Sequence, residues 1–311
     1  MKTLNESKIS VVICSYTEAR WNDLLAAVRS IQTQTRPAFE IIVVIDHNPR
    51  MLARVHAEIP DVIGIPNREA QGLSGGRNSG AQMAQGDVIG FLDDDAIAAP
   101  DWLEWLAASL EQPNVMGAGG LVKPMWSEEK PDWFPEEFYW VLGCSYRGLP
   151  QEPSQVRNLF GGCMCVRREL FDELGGFTSG IGRANGRPMG CEETELCIRA
   201  FQHFHGIKFI YEPRAWAWHR IIPGRASWNY FRERCYAEGL SKAKISALVG
   251  AGDALSSEWK YTLTTLTSGV WRGFAHGILE RDAAAFGRGG AILAGLFFTG
   301  MGYMVGTFGK N

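Results

Sequence analysis

Four short apolar runs, residues 9–14, 41–45, 62–65 and 88–92, are separated by stretches long enough for a helix, and this alternation constrains the chain more than any other feature. Strands that are apolar without interruption have both faces covered, as in a parallel sheet with helices on either side. Between the first two runs, residues 21–34 place Leu24, Leu25, Val28 and Ile31 at helical spacing, so a βαβ unit is expected. The fold class is α/β, with a Rossmann-like, mainly parallel central sheet flanked by helices. Ligands of such sheets bind beyond the carboxyl ends of the strands. The chemistry-bearing residues stand there: Ser15 and Tyr16 follow the first run, Asp46 the second, and Asp93, Asp94 and Asp95 the fourth.

Downstream the pattern changes. Residues 123–155 are rich in Pro, Trp and acidic side chains and read as a functional loop or flap. Residues 158–166 are ordered, 169–174 form a helix closed by Gly175 and Gly176, 192–201 form another, and 208–211 a strand. From Ser227 onward the chain is helical and amphipathic. It ends in an uncharged stretch, residues 289–309, long enough for a membrane helix although its glycines weaken it. The expected division is a catalytic domain over residues 1–226 and a helical, membrane-associated region over 227–311.

Lys and Arg number 31 against 34 Asp and Glu, a net charge of -3, which gives no basic face for nucleic acid. The 7 cysteines are an odd, scattered set, and no basic and then apolar leader opens the chain, so a reducing cytosol is expected. The spacings among Cys163, Cys165, Cys191 and Cys197 do not match common zinc ligand pairs.

Asp93, Asp94 and Asp95 form the strongest chemical signal. Adjacent carboxylates at a strand end repel one another, so a cation or donor groups must compensate. Hard oxygen donors suit Mg2+ or Mn2+ shared with substrate phosphates; a solvent-facing acidic loop is the plainer alternative. Asp46 can accept hydrogen bonds from a base or ribose, or cap a helix. Residues 72–80 read as a glycine-rich turn before a helix, where backbone N–H groups and Arg77 would meet an anion. The turn matches neither a Walker nor a dinucleotide fingerprint, which removes the main support for a kinase or a dehydrogenase. Glu192, Glu193 and Glu195 open a helix after the glycine-bearing residues 180–190. That position suits the helix dipole and equally a general base. His219 reads as a core histidine or as a further metal ligand.

Together these positions resemble the inverting glycosyltransferases of family 2, which have the GT-A fold. The resemblance rests on residues 11–16, 41–46, 76–80 and 91–95, on Gly175-Gly176-Phe177 and on the Glu192-Glu193 pair, in that order. It implies a UDP-sugar donor, with Tyr16, Asp46 and Arg77 at the uracil end, Ser15 and Glu18 beside them, and Asp93 and Asp94 on the ribose side. Asp95, Asp93 and His219 would hold Mn2+ or Mg2+. Glu193 would be the catalytic base and Glu192 its alternate; the family usually has Asp at that position, and the extra methylene changes reach rather than chemistry. Residues 192–197 and the Trp218-His219-Arg220 pattern look most like the branch that includes glucuronosyltransferases acting on lipid-linked sugars. That branch implies a glycan or polyprenyl-linked acceptor and a membrane surface on its cytoplasmic side, and it leaves a homo-oligomer open.

The implied reaction is a metal-assisted single displacement. A sugar nucleotidyltransferase is the nearest competitor, but residues 15–20 lack the glycine-rich basic loop it would need. A non-catalytic sugar-binding protein is the other, and it has no reason to gather carboxylates and a histidine on one edge.

Overall fold

A computed structural model of the chain describes residues 7–183 and 188–309. The four apolar runs become strands β1 (Ile9–Ser15), β2 (Glu40–Ile45), β3 (Ile63–Pro66) and β4 (Val88–Asp93), which pair in parallel in the spatial order β3-β2-β1-β4. Helices α1 (Trp21–Gln32), α2 (Pro49–Glu58) and α3 (Leu73–Met83) connect them and pack on the sheet. Asn48 begins α2 by accepting from the Met51 amide, with Pro49 in the first turn, where its missing N–H costs nothing. Registers align Ser15 with Ile45 and Cys14 with Asp93, so all three sites after the strands open on one edge.

Beyond β4 the sheet is antiparallel. The chain continues through β5 (Ala96–Ala98), α4 (Trp102–Leu110), β6 (Val115–Trp126), β7 (Ser154–Val156), β8 (Cys163–Arg167), α5 (Arg168–Leu174), α6 (Glu192–His203) and β9 (Lys208–Ile221). Strand order runs on as β8-β6-β9-β5, with β7 also on β9, and β4–β8, β6–β8 and β5–β9 are antiparallel. The sheet is therefore mixed. Its core holds Val12, Ile42 and Phe91, and the Phe91 ring meets Phe171 and Phe177 at 5.7 and 5.6 Å.

One expectation is corrected here. Residues 73–80 are not a turn but lie inside α3. A Cβ on Gly80 would stand 2.3 Å from Val12 Cγ1, and one on Gly76 would stand 3.3 Å from Cys14 Sγ. The glycines therefore serve close packing of the helix on β1, which offsets their poor helix propensity of about 1 kcal/mol each. Gly175 ends α5 with φ 74°, the left-handed conformation expected of it. Of the expected 180–190 segment, residues 184–187 lie outside the described residues.

The described residues fall into two compact units. The first lies within Met1–Lys123, Pro150–Gly186 and Glu192–His219, the second within Pro124–Leu149, Arg187–Cys191 and Arg220–Asn311. In the second, the irregular stretch contributes a short 3-10 segment, Glu136–Leu142, whose Phe138 and Leu142 are buried. Helices α7 (Trp228–Val249), α8 (Ala251–Tyr261), α9 (Thr267–Leu279) and α10 (Ala283–Phe308) complete it. Ser227 caps α7 through the Tyr230 amide and Asp282 caps α10 through that of Ala284. By length and composition α10 could cross a membrane: it has 26 residues, and an 18-residue window within it has a mean hydropathy of 1.5.

The cysteines are all free, and burial pushes the Cys163 and Cys197 thiols up to about 12. They are packing residues, and none joins the metal-binding group found among the described residues.

Candidate active site

The site is built where β1 and β4 end. Asp93 closes β4, Asp95 follows two residues later, and β5 pairs Ala96 with His219 of β9, so the antiparallel half of the sheet delivers the histidine to the acidic edge. Ligand atoms of Asp93, Asp95 and His219 all lie within 4.8 Å of one another, with Asp95 Oδ1 and His219 Nε2 3.1 Å apart. Two carboxylates and an imidazole are a donor set that can hold a divalent ion.

The acidic residues are held by two arginines. Arg20, at the end of the loop after β1, donates through Nη1 to Asp94 Oδ1 at 2.8 Å and stands 3.2 Å from Asp95 Oδ2. Ser15 Oγ donates to the other Asp94 oxygen at 2.5 Å. Burial and the neighbouring Asp95 raise the Asp94 carboxyl to about 6, against the pull of Arg20 and Ser15. Arg77 is the second clamp: Nη2 reaches Asp93 at 3.1 Å and Nη1 reaches Glu192 at 2.9 Å. Four carboxylates thus face two guanidiniums, an excess of two negative charges that one divalent cation would neutralise.

Gly161 and Gly162 make room for this arrangement. A Cβ on Gly162 would stand 2.2 Å from Asp93 Oδ2, and one on Gly161 would stand 2.6 Å from Arg77 Nη1. The Gly162 carbonyl also accepts from the Asp93 amide. The cradle fits a carboxylate aimed at an ion and leaves no space for a larger residue.

The remaining expected residues have definite places. Asp46 accepts from Asn67 Nδ2 at 2.7 Å and from the Gly72 amide at 3.0 Å. The Leu73 amide donates to the Arg183 carbonyl, so two of the N–H groups expected to meet an anion are bound within the protein. Arg77 is not a free anion contact either, because its side chain is 4% exposed between Asp93 and Glu192. Tyr16 is exposed, with the Arg20 guanidinium 5.6 Å from its ring, and Glu18 is exposed in the short turn beside it.

Glu192 is buried; its Oε1 is held by Arg77 and its Oε2 has no hydrogen-bond partner among the described residues. Glu193, next in the first turn of α6, is half-buried and adds to the negative field on Arg77. The Cys14 thiol, pushed up to about 12 by burial, feels Arg77, Asp93, Asp94 and Asp46 at once. Asp46, Asp93 and Asp94 therefore converge around the end of β1.

Arg20, Asn67, Gly161 and Gly162 were not anticipated. Arg20 lies in a loop after an apolar strand, a position that itself marks the site edge. The glycine pair precedes β8 and carried no spacing signal.

Residues 10–175 match the sequence pattern of Glycosyl transferase family 2. The chain belongs to this family. It is a glycosyltransferase, and its architecture is of the GT-A type. It is 35% identical over 245 residues, 78% of each chain, to a glucosyl-dolichyl phosphate glucuronosyltransferase of Haloferax volcanii. It is 28% identical to polypeptide N-acetylgalactosaminyltransferase 4 of Mus musculus, with 62% of this chain spanning 36% of that protein. Among solved structures, a mannosyltransferase of Pyrobaculum calidifontis in complex with GDP-Man and Mn2+ superimposes with TM-score 0.57 at 16% identity, covering 98% of this chain and 88% of that one. GalNAc-T7 in complex with UDP, GalNAc and Mn2+ gives TM-score 0.54 at 21% identity, covering 82% and 54%. At these identities the structures show the shared fold.

Proposed function

We propose that the chain moves a sugar from a UDP-sugar to a hydroxyl of a lipid-linked or other glycan acceptor in a single displacement that inverts the anomeric carbon. The observation that carries the reading is the Asp93, Asp95 and His219 group at the strand edge. These three would hold the ion, and an imidazole in the set favours Mn2+ over Mg2+. Both solved neighbours, complexed with Mn2+ and a nucleotide or nucleotide sugar, support the choice. Bound there, the metal supplies Lewis-acid compensation for charge developing on the diphosphate leaving group.

Glu193 takes the acceptor hydroxyl proton. The acceptor oxygen then bonds to the anomeric carbon on the face opposite the diphosphate, whose bond to that carbon breaks. Glu192 is tied to Arg77 and is the less available of the two. Asp46 and Tyr16 take the uracil end with Ser15, Glu18 and Asp94 nearby, and Arg77 contributes by holding Asp93 in place.

The Haloferax relative, named for a dolichyl phosphate substrate, supports a lipid-linked acceptor and glucuronic acid as the first donor sugar to try. The apolar helix α10 supports attachment of the second unit to a membrane, and the cytoplasmic side is the one proposed. A panel of UDP- and GDP-sugars assayed with Mn2+ for hydrolysis and transfer tests the reading. Metal-dependent turnover of a UDP-sugar is expected; turnover of GDP-sugars alone would overturn the donor assignment, and none with any donor would overturn the catalytic one.

A further inference from the structure

We infer that α10 lies in the plane of an anionic bilayer surface, immersed along one face, and does not cross the bilayer. The inference rests on the membrane attachment proposed above and specifies its geometry. The exposed apolar side chains of α10, Phe286, Leu293, Phe297, Met304 and Phe308, recur at intervals of seven and four residues and so share one face. The opposite face is locked to protein. A Cβ on Gly302 would stand 2.1 Å from the Tyr236 carbonyl oxygen, and one on Gly239 2.1 Å from that of Thr299. One on Gly295 would stand 2.3 Å from the Phe138 ring. Helix α9 closes the other flank through Gly273 against Gly289, and adds the exposed Trp271 and Leu279.

This packing is incompatible with crossing. A helix of 26 residues extends about 39 Å, so crossing would put its middle at the bilayer centre. Phe298 is near that middle, and the exposed Arg232 of α7 sits with its guanidinium 6.0 Å from the Phe298 ring, next to the exposed Glu233. A spanning α10 would carry both charges and the Arg234–Glu238–Lys242 network of α7 into hydrocarbon. In-plane immersion to about 5–10 Å leaves them in water while the apolar face is covered. The exposed Arg281, at the turn before α10, would then meet anionic headgroups, while Arg272 of α9 is held by Glu137.

The test uses the full chain with vesicles of phosphatidylcholine and phosphatidylglycerol, and nitroxide labels placed on Phe286→Cys, Phe297→Cys and Phe308→Cys. Co-sedimentation is expected, with all three labels at similar shallow depth. Co-sedimentation with the middle label deep and both end labels shallow would keep the attachment and overturn the in-plane geometry. No co-sedimentation, with the face covered instead in a soluble dimer, would overturn the attachment itself. The double variant Leu293→Asp with Phe297→Asp should bind vesicles at least about tenfold more weakly while keeping metal-dependent UDP binding; unchanged vesicle binding would contradict the assigned face.

Discussion

Arg77 and Glu192 stand 115 positions apart in the chain and meet in a 2.9 Å ion pair, while the other terminal nitrogen of the same guanidinium holds Asp93 at 3.1 Å. One buried cation thus ties a member of the candidate metal group to the first turn of the helix that carries Glu193. A planar fork with fixed donors can serve two carboxylates at once; a lysine point charge cannot.

Replacing Arg77 by Met should therefore cost about 3–5 kcal/mol, because the buried Glu192 carboxylate is left without its counter-charge. Arg77→Lys should recover part of that loss. Urea unfolding of both variants checks the order, and equal stability of Arg77→Met and the native chain would contradict the buried-clamp description.

Gly162→Ala tests the cradle. Its Cβ would meet Asp93 Oδ2 at 2.2 Å, so the carboxylate must turn away from the group it shares with Asp95 and His219. Mn2+ affinity is expected to fall at least about tenfold, or 1.4 kcal/mol. Titration calorimetry with Mn2+ measures this, and native affinity would mean that Asp93 is dispensable to the site.

Much of this architecture was legible in the chain. The four apolar runs announced the parallel strands, and the rule that ligands gather at strand ends pointed to Asp46 and to Asp93, Asp94 and Asp95. His219 was legible as either a core histidine or a further metal ligand, since a histidine after Trp218 says nothing of the β5–β9 pairing that carries it to Asp95. Of the antiparallel half, residues 208–211 were legible as a strand and fall in β9, while its pairing was hidden because it depends on partners distant in sequence. Residues 73–80 were misread because glycine serves both turns and close helix packing, and only the position of Val12 decides between the two. Arg20 went unnoticed because a single arginine in a loop has no pattern until its carboxylate partners are known.

The two adjacent glutamates should separate cleanly. Glu193→Gln is expected to lower transfer about 10²–10⁴-fold with UDP binding unchanged. Glu192→Gln should show itself chiefly in lower stability, through the weakened pair with Arg77. Single-turnover transfer and UDP titration on both variants decide it; a larger transfer loss in Glu192→Gln would exchange the two roles.

The second unit should carry its own acid sensitivity. Burial opposes ionisation of Glu238, but Arg234, Lys242 and the Cys191 thiol more than offset it, so its carboxyl is held below the ordinary 4.5. A lowered folded value stabilises the protein above the unfolded value and loses that contribution as pH falls through the folded one. Denaturation followed from pH 7 to pH 3 should show the loss. Glu238→Gln should be less stable at pH 7, by about 3–5 kcal/mol for breaking a buried pair, and should respond less to acid.

Calorimetric titration of UDP with and without Mn2+, on the native chain and on Asp95→Asn and His219→Ala, addresses the metal site most directly. The expected result is UDP binding that strengthens at least about tenfold with Mn2+ in the native chain and loses that dependence in both variants. UDP affinity indifferent to Mn2+, or unchanged metal dependence in the variants, would contradict a metal-bridged donor site at Asp93, Asp95 and His219.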